Sequence, residues 1–230
     1  SFYFLFYTAM AYFAPFIVLF YQQNQFNGPQ IALLTGIPPL ITLFAGPFWT
    51  NVADAKRKHR QVMSLGIIMA ILSVLLLQYL SIFALALMVV MVSYFFFAPV
   101  ASLSDSATIS MLGADKTMYG RVRVGGTIGW GLFALIAGTM INNYGLKLAF
   151  WGFAFFMLIN LFVAQKLTYD DTTGHEALKS GGVRFFLTSR KWQLFLMTAF
   201  LGGLGAFSVA SFLAPYMTGL GANESQIGFA

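Results

Sequence analysis

The chain has 230 residues, of which 59% are hydrophobic and only 9% charged, against roughly 25% charged residues in soluble domains. That balance excludes a water-soluble domain and predicts an all-α, polytopic membrane protein with the lipid bilayer as its first partner. No cysteine is present, which removes disulfides, thiolate metal sites and a thiol nucleophile. The net charge of +6 sits in short loops between apolar runs, so it reads as membrane topology and not as nucleic-acid binding.

Crossing a bilayer takes about 20 apolar residues. Seven stretches are predicted to do so, at 2–21, 30–50, 61–80, 82–111, 119–141, 147–167 and 192–217, with an eighth just beginning at Ile227. The first run has neither a basic leader nor a small-residue cleavage site, so it reads as a spanning helix rather than a signal peptide. Because the chain opens and closes inside apolar runs, it reads as a fragment: a six-helix bundle (1–167), an interdomain linker (168–191) and the start of a second bundle (192–230). Pro38-Pro39 should kink the second span, since each proline removes a backbone donor.

The loops alternate in charge. Lys56, Arg57, Lys58 and Arg60 follow the second span, Lys116, Arg121 and Arg123 surround the fourth loop, and the remaining cations except Lys147 surround the sixth. The positive-inside rule puts that side, and the N-terminus, in the cytoplasm of a cell whose inner membrane holds the protein. Residues 183–192 are expected to form an amphipathic helix at the membrane surface.

A repeat punctuates the chain. Span one carries Phe13-Ala14-Pro15-Phe16 and is followed by Gln30-Ile31; span seven carries Leu213-Ala214-Pro215-Tyr216 and is followed by Gln226-Ile227. Span four adds Phe97-Ala98-Pro99. Three-helix units nested in six-helix halves match the inverted-repeat plan of secondary transporters.

The stretch around which the rest is organised is Tyr119-Gly-Arg-Val-Arg-Val-Gly-Gly-Thr-Ile-Gly-Trp130. A charge at the bilayer centre costs at least ~2.5 to 3.5 kcal/mol, so Arg123 needs a carboxylate, carbonyls or a wet cavity. Asp105 on the preceding span would lie at a similar depth if the two helices are antiparallel neighbours, because both residues stand nine positions from Ala114. A buried ion pair is expected. Arg123, Thr127 and Trp130 follow i, i+4, i+7 spacing, which puts a cation, a hydroxyl and an indole on one face. Tyr3, Tyr7 and Met10 share a face of span one, where packing competes with a cavity-lining role. Gly125-x-x-x-Gly129 should let a partner helix approach closely, and Gly202, Gly203 and Gly205 are expected to serve helix packing or bending.

These residues resemble the major facilitator superfamily. Gly46-Pro47-Phe48-Trp49 to Asp54, followed by Lys56, Arg57, Lys58 and Arg60, is similar to its signature loop between helices two and three; Thr50, Ala55 and Arg57 depart from it, the last standing where a glycine is usual. Within the superfamily, residues 119–130 are most similar to the lactose permease-like group of oligosaccharide and nucleoside proton symporters, which carry Gly-Arg-x-Arg, a small residue and a tryptophan. Those proteins also have an acidic residue fifteen positions before the glycine, usually Glu where this chain has Asp105. The resemblance implies a major facilitator-type helical bundle and a transport function. It implies a conformational latch at Gly46, Asp54 and Lys58, in which Asp54 faces helix ends and basic groups across the cytoplasmic side; the residues themselves point to substrate contact by Asp105, Arg123, Thr127, Trp130 and Tyr7, against a structural tie between spans four and five for the charged pair, a lipid anchor for Trp130 and packing for Tyr7.

The reading is therefore a secondary active transporter of a small polar solute, a sugar or nucleoside, working by alternating access with proton symport, as a monomer and without a cofactor beyond the coupling proton. Export of amphipathic compounds and a transport-inactive sensor are the alternatives. An enzyme is not expected: His59 and His175 lie in separate loops without metal-ligand spacing, no phosphate loop is visible, and no nucleophile and base stand at plausible spacing.

Overall fold

The structure, a computed structural model, describes residues 2–169 and 189–229. Among these, every regular element is helical: α1 (Phe2–Phe13), α2 (Ile17–Gln23), α3 (Gly28–Lys56), α4 (His59–Leu77), α5 (Phe83–Phe97), α6 (Pro99–Leu112), α7 (Tyr119–Tyr144), α8 (Lys147–Ala164), α9 (Arg190–Gly219) and α10 (Glu224–Phe229), with one 3₁₀ turn at Lys116–Met118. Six helical segments are long and apolar enough to cross a membrane, α1 with α2 and α5 with α6 each counting as one. The stretch expected as the seventh span is the 30-residue α9, and the expected start of an eighth is α10. Residues 183–188 of the expected surface helix at 183–192, and 170–188 of the linker at 168–191, fall outside the described residues, while Arg190, Lys191 and Trp192 belong to α9.

Two Ala-Pro pairs break helices that the sequence suggests are continuous. In span one the last regular bond is Ala14 N to Met10 O at 2.8 Å, and helix resumes with Phe20 N to Phe16 O at 3.1 Å. Pro15 occupies the gap, with no N–H to donate. In span four the break falls between α5 and α6, where Pro99 opens the new helix at a position that needs no donor. α3 runs on past Pro38-Pro39, where a kink is expected, and α9 runs on past Pro215. A proline's fixed φ is itself helical, so the helix can run on with donors missing.

The Gln-Ile repeat has a physical basis. Asn27 Oδ1 accepts from Gln30 N at 3.0 Å while Gln30 Oε1 accepts from Asn27 N at 2.9 Å. Asn223 and Gln226 exchange the same two bonds at 3.0 and 2.9 Å. Each is a reciprocal cap that satisfies two donors at a helix start. The isoleucine after each glutamine, Ile31 and Ile227, is buried.

Packing centres on α1, which lies against α7 and α8, while α4 bridges α5 and α8 and α3 lies along α5. Phe16, Phe150, Met63, Ile67 and Met157 are fully buried between them. Large apolar side chains such as Phe44, Phe155 and Phe162 point outward, as a lipid-facing surface requires. The close approach of α1 to α7 does not use the expected Gly125-x-x-x-Gly129 pair. A Cβ at Gly129 would stand 2.6 Å from Phe4 O and one at Gly126 would overlap the Tyr7 ring, whereas Gly125 faces open space. The pair that matters is spaced by three residues, along the other ridge of the helix. A Cβ at Gly202, Gly203 or Gly205 would meet nothing within 4 Å, and α9 passes through all three without a break.

The two ends of the bundle differ. At the end opposite the cationic loops, α7 and α10 meet backbone to backbone: a Cβ on Gly138 would stand 2.6 Å from Glu224 O and 2.9 Å from Gly228 Cα. Only glycine allows that contact.

Candidate functional site

The short connection from α6 to α7 turns the chain back on itself, so that Asp105, about 10 Å from the end of α6, and Arg123, about 6 Å from the start of α7, face each other at nearly one depth. Tyr3 and Tyr7 of α1 complete the cluster. The Tyr3 hydroxyl donates to Asp105 Oδ1 at 2.5 Å. Arg123 Nη1 donates to the Tyr119 hydroxyl at 3.2 Å and Nη2 to the Tyr7 hydroxyl at 3.4 Å. Its guanidinium lies over the rings of Tyr3 and Tyr119, 5.8 and 5.7 Å from their centroids. The Arg123 to Asp105 separation is 4.0 Å, with the two side chains 45% and 34% exposed.

The expected buried ion pair is thus a half-open cluster, and the shortest bond to the carboxylate comes from a tyrosine whose sequence spacing fits packing equally well. Chemically, Asp105 Oδ2 keeps acceptor capacity and Arg123 keeps N–H donors that no described residue takes up. A carboxylate beside a planar donor fork can bind a solute that offers hydroxyls or an anionic oxygen.

Thr127 is exposed, and no hydrogen bond joins it to the cluster among the described residues. Trp130 is half-buried and belongs to the wall of a cavity of about 1070 Å³ between α1–α2, α3, α4, α5, α7, α9 and α10. Asp105 and Arg123 lie outside that wall. The indole therefore stands at a boundary, with the polar cluster about 10 Å along the same helix.

Gly46 is buried in α3, and Lys58 is exposed ahead of α4. Asp54, in the last turn of α3, has its Oδ1 2.7 Å from Nε2 of His59, the first residue of α4. The His59 ring stacks on Tyr169, with centroids 4.9 Å apart and planes 15° apart. Arg60 Nε donates to Leu167 O at 3.0 Å, Gln165 Nε2 to Ser64 Oγ at 2.6 Å and Tyr169 to Met63 Sδ at 2.9 Å. These bonds clip the residues after α8 onto the start of α4. Burial pushes the Tyr169 phenol up to about 12, with the Arg60 charge pulling the other way. No spacing rule pairs His59 with a residue so far along the chain, so this clip was invisible in the sequence.

Six apolar helical segments of spanning length, two of them broken at Ala-Pro steps, with a charged cluster held between them, define an all-α membrane protein. The model of the MFS_1 like family matches residues 1–230, and the chain belongs to that family. It is 24% identical over 201 residues to the maltose permease of Geobacillus stearothermophilus, covering 87% of this chain and 51% of that protein. It is 22% identical over 211 residues to the uncharacterized transporter YwbF of Bacillus subtilis (strain 168), covering 90% and 52% respectively. The chain spans about half the length of the curated relatives it matches.

Proposed function

We propose that the full-length protein carries a small polar solute, a sugar in the first instance and a nucleoside in the second, across the cell's inner membrane by alternating access, with proton symport, as a monomer whose N-terminus is cytoplasmic. Membership of a transporter family and similarity to a protein named maltose permease support a sugar. The observation that carries the reading is the cluster of Tyr3, Asp105 and Arg123, a carboxylate and a guanidinium held half-open inside spanning helices where charge is expensive without a use. In this reading Asp105 accepts ligand hydroxyls, Arg123 donates to ligand oxygens, and Trp130 offers its ring face to the apolar side of the solute. Alternating access follows from two bundles rocking about a site near the midplane.

A second reading, export of amphipathic compounds, is favoured by the cavity beside Trp130, whose walls carry no charged residue among the described residues. Flux direction separates the two. Vesicles containing the full-length protein, given an inward proton gradient and a panel of labelled sugars and nucleosides, should accumulate one of them and lose it on addition of an uncoupler. Accumulation of none, together with gradient-driven extrusion of amphipathic dyes, would replace the first reading by the second.

A further inference from the structure

The turn between α3 and α4 carries charge that no described residue answers. Lys56, Arg57 and Lys58 follow one another there, all exposed, and none of them forms an ion pair among the described residues. Asp54 is the first acid in the chain, the next being Asp105, and it is taken: its Oδ1 lies 2.7 Å from His59 Nε2. Arg60 is pinned on the far side of the turn, where its Nε donates to Leu167 O at 3.0 Å. The turn is thus fixed at both ends, with its cations left to solvent or lipid.

Arg57 adds an independent observation. It closes α3 with φ of 51° and ψ of 39°, a left-handed conformation that glycine takes without strain and that an arginine holds at a local cost. Depth supplies a third. The 29 residues of α3 run about 43 Å, against about 30 Å of hydrocarbon and about 40 to 45 Å with the headgroups included, so its last turn emerges among headgroups. Deeper on the same helix, Phe44 and Phe48 are exposed on the side opposite Thr35, Pro38 and Thr42 of the cavity wall, where acyl chains run. Lys56 stands two i+4 steps, about 12 Å, beyond Phe48.

We propose that the turn Lys56-Arg57-Lys58 is a binding site for an anionic phospholipid, with the phosphate among the three cations and an acyl chain along Phe48 and Phe44. Arg57 offers the phosphate two parallel N–H donors, and the lysines act as point charges beside it. Pairing of Asp54 with His59 keeps a carboxylate from competing for the same cations. A zwitterionic lipid brings its own cation into this cluster and is disfavoured by like-charge repulsion. The strained cap at Arg57 is retained because glycine there would remove the planar donor.

The test is native mass spectrometry of the full-length protein released from nanodiscs of equimolar phosphatidylglycerol and phosphatidylcholine with matched acyl chains, reading the ratio of the two lipids retained. The wild type should favour phosphatidylglycerol at least about 10-fold, since each cation near an anionic surface is worth about 5-fold. Lys56→Gln, Arg57→Gln and Lys58→Gln together should bring the ratio towards about 1, whereas Arg190→Gln with Lys191→Gln, which neutralises the start of α9, should change it by less than about 2-fold. Arg57→Gly should lower the ratio about 5-fold, and Arg57→Lys, which keeps the charge, should leave it within about 2-fold of the wild type. A ratio near unity in the wild type overturns the site. An equal fall in the triple and the α9 variants also overturns it, because the preference would then be the diffuse attraction of all loop cations. Collapse of the ratio in inorganic phosphate but not in chloride of equal ionic strength would make a soluble anion the partner and overturn the lipid assignment.

Discussion

Tyr3 donates a 2.5 Å hydrogen bond to Asp105 across 102 residues of sequence, tying the first spanning helix to the second half of the fourth. The bond fixes one carboxylate oxygen and leaves the other, 4.0 Å from Arg123, turned towards a half-open space. A strongly bonded Asp–Arg pair would satisfy itself. This one is held in place by a third residue, which is the arrangement a ligand site needs: positioned groups with unspent hydrogen-bonding capacity.

Trp130 distinguishes ligand contact from membrane anchoring. Trp130→Ala removes the ring that joins the polar cluster to the cavity and should weaken substrate binding by about 30-fold, as for a buried aromatic contact of about 2 kcal/mol. Trp130→Tyr keeps a ring face and should weaken it by only about 3-fold. Binding isotherms of the two variants decide the matter; small and equal losses would make Trp130 an interfacial anchor.

Gly138 and Gly228 let α7 and α10 touch through their backbones, so even a methyl group should part them. In Gly138→Ala the new Cβ meets the Glu224 carbonyl, which cannot move without its helix. A cysteine placed at the buried Ile227 should then react several-fold faster with a membrane-impermeant maleimide than in the glycine background. An unchanged rate would mean that this contact does not seal that end of the bundle.

Arg57 caps α3 in the left-handed region, with φ of 51°. The Cβ of an L-residue there clashes with the following carbonyl, at a cost of roughly 1 to 2 kcal/mol that glycine escapes. This is the position where the resembled signature loop has glycine, and the backbone supplies the reason. Arg57→Gly should raise the unfolding midpoint in a thermal-shift assay of the purified protein. A lowered midpoint would show that the arginine side chain does more for the loop than its strain takes away.

Tyr169 gives the clip at the cationic end a pH signature. Its phenol is raised from 10.0 to about 12, so the folded clip prefers the neutral form. The stability it contributes is complete below about pH 10 and is lost as pH rises through about 12, which leaves the clip indifferent to Tyr169 ionisation at any physiological pH. Near-ultraviolet titration of the wild type minus Tyr169→Phe should show one tyrosinate appearing near pH 12. Its appearance near 10 would place the ring in water.

How much of this was legible in the sequence differs by element. Span positions follow from apolar length alone, and the depth match of Asp105 and Arg123 follows from helical rise on either side of a short loop. The Gln-Ile repeat was visible as letters, but its meaning as two identical caps needed the Asn that opens each one. Proline positions alone did not say where helix would stop: α3 continues through its adjacent pair while single Ala-Pro steps break spans one and four, because a proline's fixed φ is compatible with helix and the outcome depends on how the next turn is held. Contacts between distant segments left no periodic signal. Tyr3 with Asp105, His59 with Tyr169 and Gly138 with Gly228 each depend on how whole helices are laid together, and no local spacing encodes that.

The most direct test of the central claim is substrate binding by the full-length wild type, Asp105→Asn, Arg123→Ala and Tyr3→Phe, each first shown to insert normally. Loss of a charge-assisted hydrogen bond of about 1.5 to 3 kcal/mol corresponds to roughly 10- to 150-fold weaker binding for the first two, and Tyr3→Phe should fall between them and the wild type. Unchanged affinity in both Asp105→Asn and Arg123→Ala would contradict the account, leaving the cluster as a structural tie between α1, α6 and α7.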